Sequence, residues 1–266
     1  MLRARQVGDV TEIKMGRSLD GRTALYWVAA YLIDGILIDT GCDYTKEELA
    51  EFLTGKQISM IVNTHYHEDH VGGNALLRER FGLRAFAHPE TIPLMNRKYD
   101  LYPYEREIWG YPTPSAADPI GSTVNNGGVS LRVIETPGHC KGHISLFEEA
   151  RGILFSGDIW VGERPKTART EENVHQLIAD LGKFEELRPK IMFASLGKIV
   201  RNPRIVIQRT RKYLEETRDK ILQLRSEGKS SEEIRDELFG RESVLAPVTQ
   251  YQLSTKIFVE SFLRDG

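Results

Sequence analysis

The chain has 266 residues, 36 Lys plus Arg against 38 Asp plus Glu, a formal charge of −2 and 40% apolar content. That length holds one large domain, or one with an appendage, without disulfide staples, and the composition excludes disorder as the main state. The near-zero charge argues against a large basic footprint for nucleic acid. The longest apolar run, Ala24 to Ile33, is ten residues and too short to cross a bilayer.

In chain order, Leu19-Asp20-Gly21 signals a turn, the run to Ile33 reads as a buried strand, and Asp34-Gly35 returns the chain through Ile36-Leu37-Ile38 into Asp39-Thr40-Gly41. Thr45 and Glu48 form a capping-box pattern that predicts a helix through Phe52, followed by a buried strand over Ile58 to Asn63. Gly72-Gly73-Asn74 opens a helix from Ala75 to Phe81, and Arg84 to Ala87 reads as a short strand. Residues 96–118 carry Tyr99, Tyr102, Tyr104, Trp109 and Tyr111 among Pro and Gly, which predicts an ordered aromatic loop or lid.

Val129 to Glu135 is a strand leading into Thr136-Pro137-Gly138-His139, and Ile144 to Phe147 pairs with Ile153 to Phe155 as a hairpin running into Ser156-Gly157-Asp158. Thr170 reads as the N-cap of a helix carrying Val174, Leu177, Ile178 and Leu181, and Lys190 to Ala194 as a strand. The charged, helix-favouring sequence after Pro203 predicts helices over Ile207 to Leu224, from Ser230-x-x-Glu233, and over Thr249 to Leu263. The expected division is a catalytic domain over 1–205 and a helical segment over 206–266, with dimerisation or lid formation as secondary readings of the latter. With two cysteines and no long apolar N-terminal stretch, the expected location is the cytoplasm.

Five of the seven histidines fall in two short clusters. In His65-Tyr66-His67-Glu68-Asp69-His70, positions 65 and 67 of an extended segment point the same way and can reach one ion, while Asp69 and His70 lie on the following turn. Imidazoles and carboxylates at this density suit zinc or iron.

With these motifs the chain resembles the metallo-β-lactamase superfamily. The HxHxDH signature stands at 65–70, TPGH at 136–139, SGD at 156–158 and DTG at 39–41, in the family's order over roughly residues 10–205. The resemblance is greatest to its glyoxalase II and β-lactamase-like hydrolase branch. It implies an αββα sandwich with a C-terminal helical appendage and a site at one edge of two facing sheets. His65, His67 and His139 would bind a first metal, Asp69 and His70 a second, and Asp158 would bridge them, with Asp69 also orienting a metal-bound hydroxide. Asp39 would support a ligand histidine from behind.

The pattern breaks once. Where the family places a late histidine ligand, this chain carries Leu196, and no histidine follows His175. One zinc is therefore expected firmly and a second weakly or not at all, with iron as the other metal. Cys42 and Cys140 are conceivable substitute ligands, read otherwise as a loop residue and as a neighbour of His139 pointing away from it. Arg164, Lys166 and Arg169 are candidate substrate contacts, and His143, four residues after His139, either supports the centre from behind or contacts substrate. The leading reading is a hydrolase of a small acyl substrate, an ester, thioester or lactone. The others are a nuclease or phosphodiesterase, a mononuclear iron dioxygenase, and a binding member of the family without catalysis. No membrane partner is expected, nucleic acid is disfavoured by the charge, and a homodimer stays open.

Overall fold

Along the strand Ile36–Ile38, Ile36 and Ile38 enter one core and Leu37 another, because successive side chains of a strand face opposite ways and here both faces are covered. The same split occurs at Ile153–Gly157, where Ile153 and Phe155 face inward and Leu154 outward. Sheets buried on both faces need a layer on each side, and the computed structural model, which describes residues 1–98 and 100–264, has helix, sheet, sheet and helix layers.

The first sheet runs in the order β1 (Leu2–Val7), β2 (Val10–Met15), β3 (Val28–Ile33), β4 (Ile36–Ile38), β5 (Met60–Val62), β6 (Ala85–Ala87) and β7 (Asp118–Pro119). It is antiparallel through β4 and parallel from β4 to β7. The second sheet comprises β8 (Thr123–Asn126), β9 (Val129–Glu135), β10 (Ile144–Glu148), β11 (Ile153–Gly157), β13 (Ile191–Ala194) and β14 (Lys198–Arg201), with β11 and β13 parallel. A separate two-strand ladder joins β12 (Ala168–Arg169) to β15 (Leu253–Ser254).

Helices α1 (Lys46–Leu53) and α2 (Asn74–Phe81) cover the first sheet through Leu49, Leu53 and Leu77. The short α3 (Ile92–Met95) and α4 (Pro103–Trp109) follow. Helices α5 (Val174–Leu187), α6 (Arg204–Ser226), α7 (Ser231–Phe239) and α9 (Thr255–Ser261), with α8 (Leu245–Val248) between the last two, complete the chain. Phe184, Ile207, Leu214, Ile234 and Phe258 from these helices share one core with Phe147, Leu154 and Met192 of the second sheet. The C-terminal helices thus complete the sandwich's second outer layer.

Four local expectations change. Thr45 precedes α1, but its hydroxyl bonds the Cys42 carbonyl at 3.2 Å and caps nothing, because a 3-10 turn over Asp43–Thr45 leads into the helix. The aromatic segment contains α4: Pro103 suits a first helical turn, and Glu105 accepts from the Tyr102 N–H at 2.8 Å. Tyr99 lies outside the described residues. Asn173, not Thr170, caps α5, accepting from the Gln176 N–H at 3.0 Å. The segment predicted as one helix from Thr249 splits into β15 and α9, since Ser254 caps a new start by accepting from the Ile257 N–H. The expected box at Ser230 and Glu233 forms. No helix among the described residues is long and apolar enough to cross a membrane.

Candidate metal centre

The parallel strands β4 and β5 deliver Asp39 and the 63–70 segment to the same edge of the first sheet. Asp39 adopts a left-handed φ of 60°, a conformation that Asp tolerates better than most side chains. Close approach of the two loops requires Gly72, where a Cβ would stand 2.3 Å from the Cys42 carbonyl carbon. From the second sheet, the turn after β9 supplies His139 and the end of β11 supplies Asp158.

Three ring nitrogens converge: His65 Nε2 lies 3.0 Å from His67 Nδ1, which lies 3.1 Å from His139 Nε2. Each ring has an oxygen at its other nitrogen. His139 Nδ1 is 2.8 Å from Glu172 Oε1, His67 Nε2 is 3.3 Å from Glu171 Oε1, and His65 Nδ1 is 3.0 Å from Thr64 Oγ1. The Thr64 hydroxyl donates to Asp39, so it accepts from His65. With their protons turned outward, the three convergent nitrogens present lone pairs to one another, and lone pairs so placed call for a cation.

Beside them, His70 Nε2 stands 3.5 Å from Asp158 Oδ1 and 3.7 Å from Asp69 Oδ2. His70 Nε2 and Asp158 Oδ1 are buried and make no hydrogen bond. Buried polar atoms are normally satisfied, so two orphans aimed at the same point fit a ligand set. Ligand atoms of His65, His67, His139 and Cys140 lie within 4.8 Å of one another, as do those of His65, His70 and Asp158.

Electrostatics agree with this donor set. Burial, with Arg169 nearby, pushes His67 down to about 3. Burial also opposes charge on His70, but Asp69, Asp39 and Asp158 outweigh it and hold the imidazole up to about 10. Burial raises the Asp69 carboxyl, whereas His70 and His139 overcome burial at Asp158 and hold its carboxyl below the usual range.

His143 is not a substrate contact. It is 1% exposed, accepts from the Asp158 N–H through Nε2 at 3.1 Å, and places Nδ1 2.9 Å from Thr136 Oγ1. Gly157, with φ 53°, makes the approach possible, since a Cβ there would meet His143 Nε2 at 2.3 Å. The ring therefore holds the Asp158 backbone. Arg164 and Lys166 are exposed and do not line the cavity at the centre, and the Arg164 guanidinium sits 5.9 Å from the Tyr213 ring centroid. Arg169 does line the cavity, within 3.6–3.9 Å of Glu105, Glu68 and Glu171. Cys140 turns its sulfur towards the histidine trio rather than away, while Cys42 is buried against Thr45, its thiol pushed up to about 11 by burial. Leu196 lines the same cavity as Asp69, His139 and Asp158.

Sequence reasoning missed Thr64, Glu171 and Glu172. The one available signal was a pair of adjacent carboxylates just ahead of a helix, which reads equally as a solvated first turn.

The model of the metallo-beta-lactamase superfamily matches residues 28–227. A hydroxyacylglutathione hydrolase of Chelativorans is 30% identical over 56% of this chain and 46% of its own length. A beta-lactamase-like protein 2 homolog of Caenorhabditis elegans is 28% identical over 68% of this chain and 57% of its own. The chain thus spans about half the length of these curated relatives. A beta-lactamase domain protein from Burkholderia ambifaria superposes with a TM-score of 0.73 at 19% identity, covering 98% of this chain and 87% of that one, a likeness of fold. With the two-sheet sandwich and the histidine and aspartate cluster at its edge, the match over three quarters of the sequence establishes that this chain belongs to the metallo-beta-lactamase superfamily.

Proposed function

We propose that this protein is a zinc-dependent hydrolase of an ester, thioester or lactone. The observation that carries the reading is the pair of donor groups, three convergent imidazoles beside the orphaned His70 Nε2 and Asp158 Oδ1, opening on one cavity. His65, His67 and His139 would hold one ion firmly. Asp69, His70 and Asp158 would hold a second more loosely, because Leu196 offers no donor. Such ions supply acidified water and polarisation of an acyl oxygen.

The chain's own part is orientation and proton handling. Asp69 faces the cavity beside the histidine trio, so a carboxylate oxygen can accept a hydrogen bond from the attacking water and orient it. Thr64, Asp39 and Glu172 fix the tautomers of His65, His70 and His139, and Glu171 lies 3.3 Å from His67 Nε2. Arg169 is the one cation among the described residues lining the cavity, and three carboxylates already surround it. That leaves no free cationic side chain for a phosphate, which disfavours the phosphodiesterase reading.

The test is metal analysis of protein purified without added metal, followed by assays with S-lactoylglutathione, a 4-nitrophenyl ester and bis(4-nitrophenyl) phosphate. About one tightly held zinc and acyl hydrolysis are expected. Bound iron with oxygen consumption selects the dioxygenase, and preference for the phosphodiester selects the nuclease. No turnover with any metal selects a binding protein.

A further inference from the structure

The cavity of about 280 Å³ that begins at Asp69, His139 and Asp158 continues away from them between α4, α5, α6 and the C-terminal segment. Its charged lining residues, Asp69, Asp158, Arg169 and Glu172, all belong to the metal centre or its carboxylate surroundings. Beyond them the walls are apolar, with Trp109, Leu177, Leu214, Leu245, Leu253 and Phe258 among them.

The hydroxyls of Thr210, Thr249 and Tyr104 on these walls are already engaged, while Tyr26 and Thr167 also line the cavity. Thr210 Oγ1 accepts from Trp160 Nε1 at 3.0 Å and donates to the Val206 carbonyl at 2.8 Å. Thr249 Oγ1 donates to the Leu245 carbonyl at 3.0 Å, and Tyr104 donates to Glu105 Oε1 at 3.0 Å. Against these helical walls a polar or charged acyl group would lose its hydration without replacement, whereas a hydrocarbon chain would lose nothing.

Resting on the acyl-hydrolase reading above, we propose that the substrate's acyl moiety is an unbranched apolar chain. It lies between α5, α6 and α9, with its carbonyl at the metal ligands and its leaving group towards solvent. The C-terminal helices then form the specificity pocket. A short hydroxyacyl group such as lactoyl would leave most of this space unfilled.

The test compares kcat/KM for 4-nitrophenyl esters from acetate to decanoate, which share one leaving group. A rise of at least tenfold from butanoate to octanoate is expected, given the gain per buried methylene. In Leu214→Trp, and independently in Leu177→Trp, the octanoate-to-acetate ratio falls at least tenfold. Calorimetry with 1-octanol on chelator-treated protein reads the pocket without turnover, and saturable binding that Leu214→Trp weakens supports it. Ester hydrolysis indifferent to chain length, with no octanol binding, overturns the apolar chain and leaves the hydrolase standing. Absence of ester hydrolysis with zinc restored sinks the hydrolase reading instead, and octanol binding alone then decides whether the pocket takes a hydrocarbon.

Discussion

The Asp39 carboxylate lies 2.8 Å from His70 Nδ1 and reaches His65 through Thr64, whose backbone N–H and hydroxyl both donate to it at 2.8 Å. One side chain in a left-handed backbone conformation thus orients an imidazole in each donor group. Asn tolerates the same backbone, so Asp39→Asn should fold while lowering metal affinity about 10–100-fold. Thr64→Val should weaken retention of the first ion and spare the second. Competition with a chromophoric chelator measures both, and unchanged affinity in Asp39→Asn would show that the carboxylate does not tune the ligands.

The loop between β12 and α5 supports His67 and His139 from the other side. Glu171 and Glu172 sit there, and the loop is tied to the C-terminal segment by the β12–β15 ladder and by Arg264 Nη1 donating to the Thr170 carbonyl at 2.5 Å. Glu172→Gln should lower retention of the first zinc by about 10–100-fold. Arg264→Ala should act in the same direction by less than about tenfold, because it loosens the loop without removing a partner. Dialysis against graded chelator followed by metal analysis reads both, and equal losses in the two variants would contradict this ordering.

Metal-free protein should show a stability maximum near neutral pH. His67 is held down to about 3, against 6.5 for an ordinary imidazole, so the unfolded chain binds a proton that the folded one refuses. That contribution is present above about pH 6.5 and is lost progressively as pH falls towards 3. His70 is held up to about 10, so its contribution is fully present below about 6.5 and is lost as pH rises towards 10. Thermal unfolding of chelator-treated protein across this range should therefore give a dome. A melting temperature rising steadily into alkali would contradict the charge assigned to His70.

Much of this was legible because strand ends and ligand spacing are local. The six donors from His65 to Asp158 sit on turns that follow apolar strands, and β9 runs from Val129 to Glu135 as expected. The roles of Glu171, Glu172 and Arg169 were not legible, since they arise where a loop of the second half folds over residues distant in the chain, His67 and Glu68 about a hundred residues earlier and His139 33 residues earlier. His143 is a related case. Its position four residues after His139 left support of the centre and substrate contact both open, and Gly157 lets the ring pack beneath Asp158. Short-range pattern identifies donors, but which face of the centre a neighbour occupies depends on how the two sheets meet.

The remaining prediction concerns Leu196, which follows β13 and lines the cavity with Asp69 and Asp158. An imidazole there would add a fourth protein donor to Asp69, His70 and Asp158, and would place it in a wall that is already part solvent-facing. Leu196→His should therefore raise occupancy of the second ion from partial to near full, read by zinc content after gel filtration. It should also raise acyl hydrolysis several-fold, because a second ion shares the charge developing on the acyl oxygen and leaving group. Loss of one apolar wall residue works the other way on binding of long chains, so the gain should appear in kcat more than in KM. If neither zinc content nor rate increases, position 196 does not face the ion, and the gap at the second group is closed by another donor.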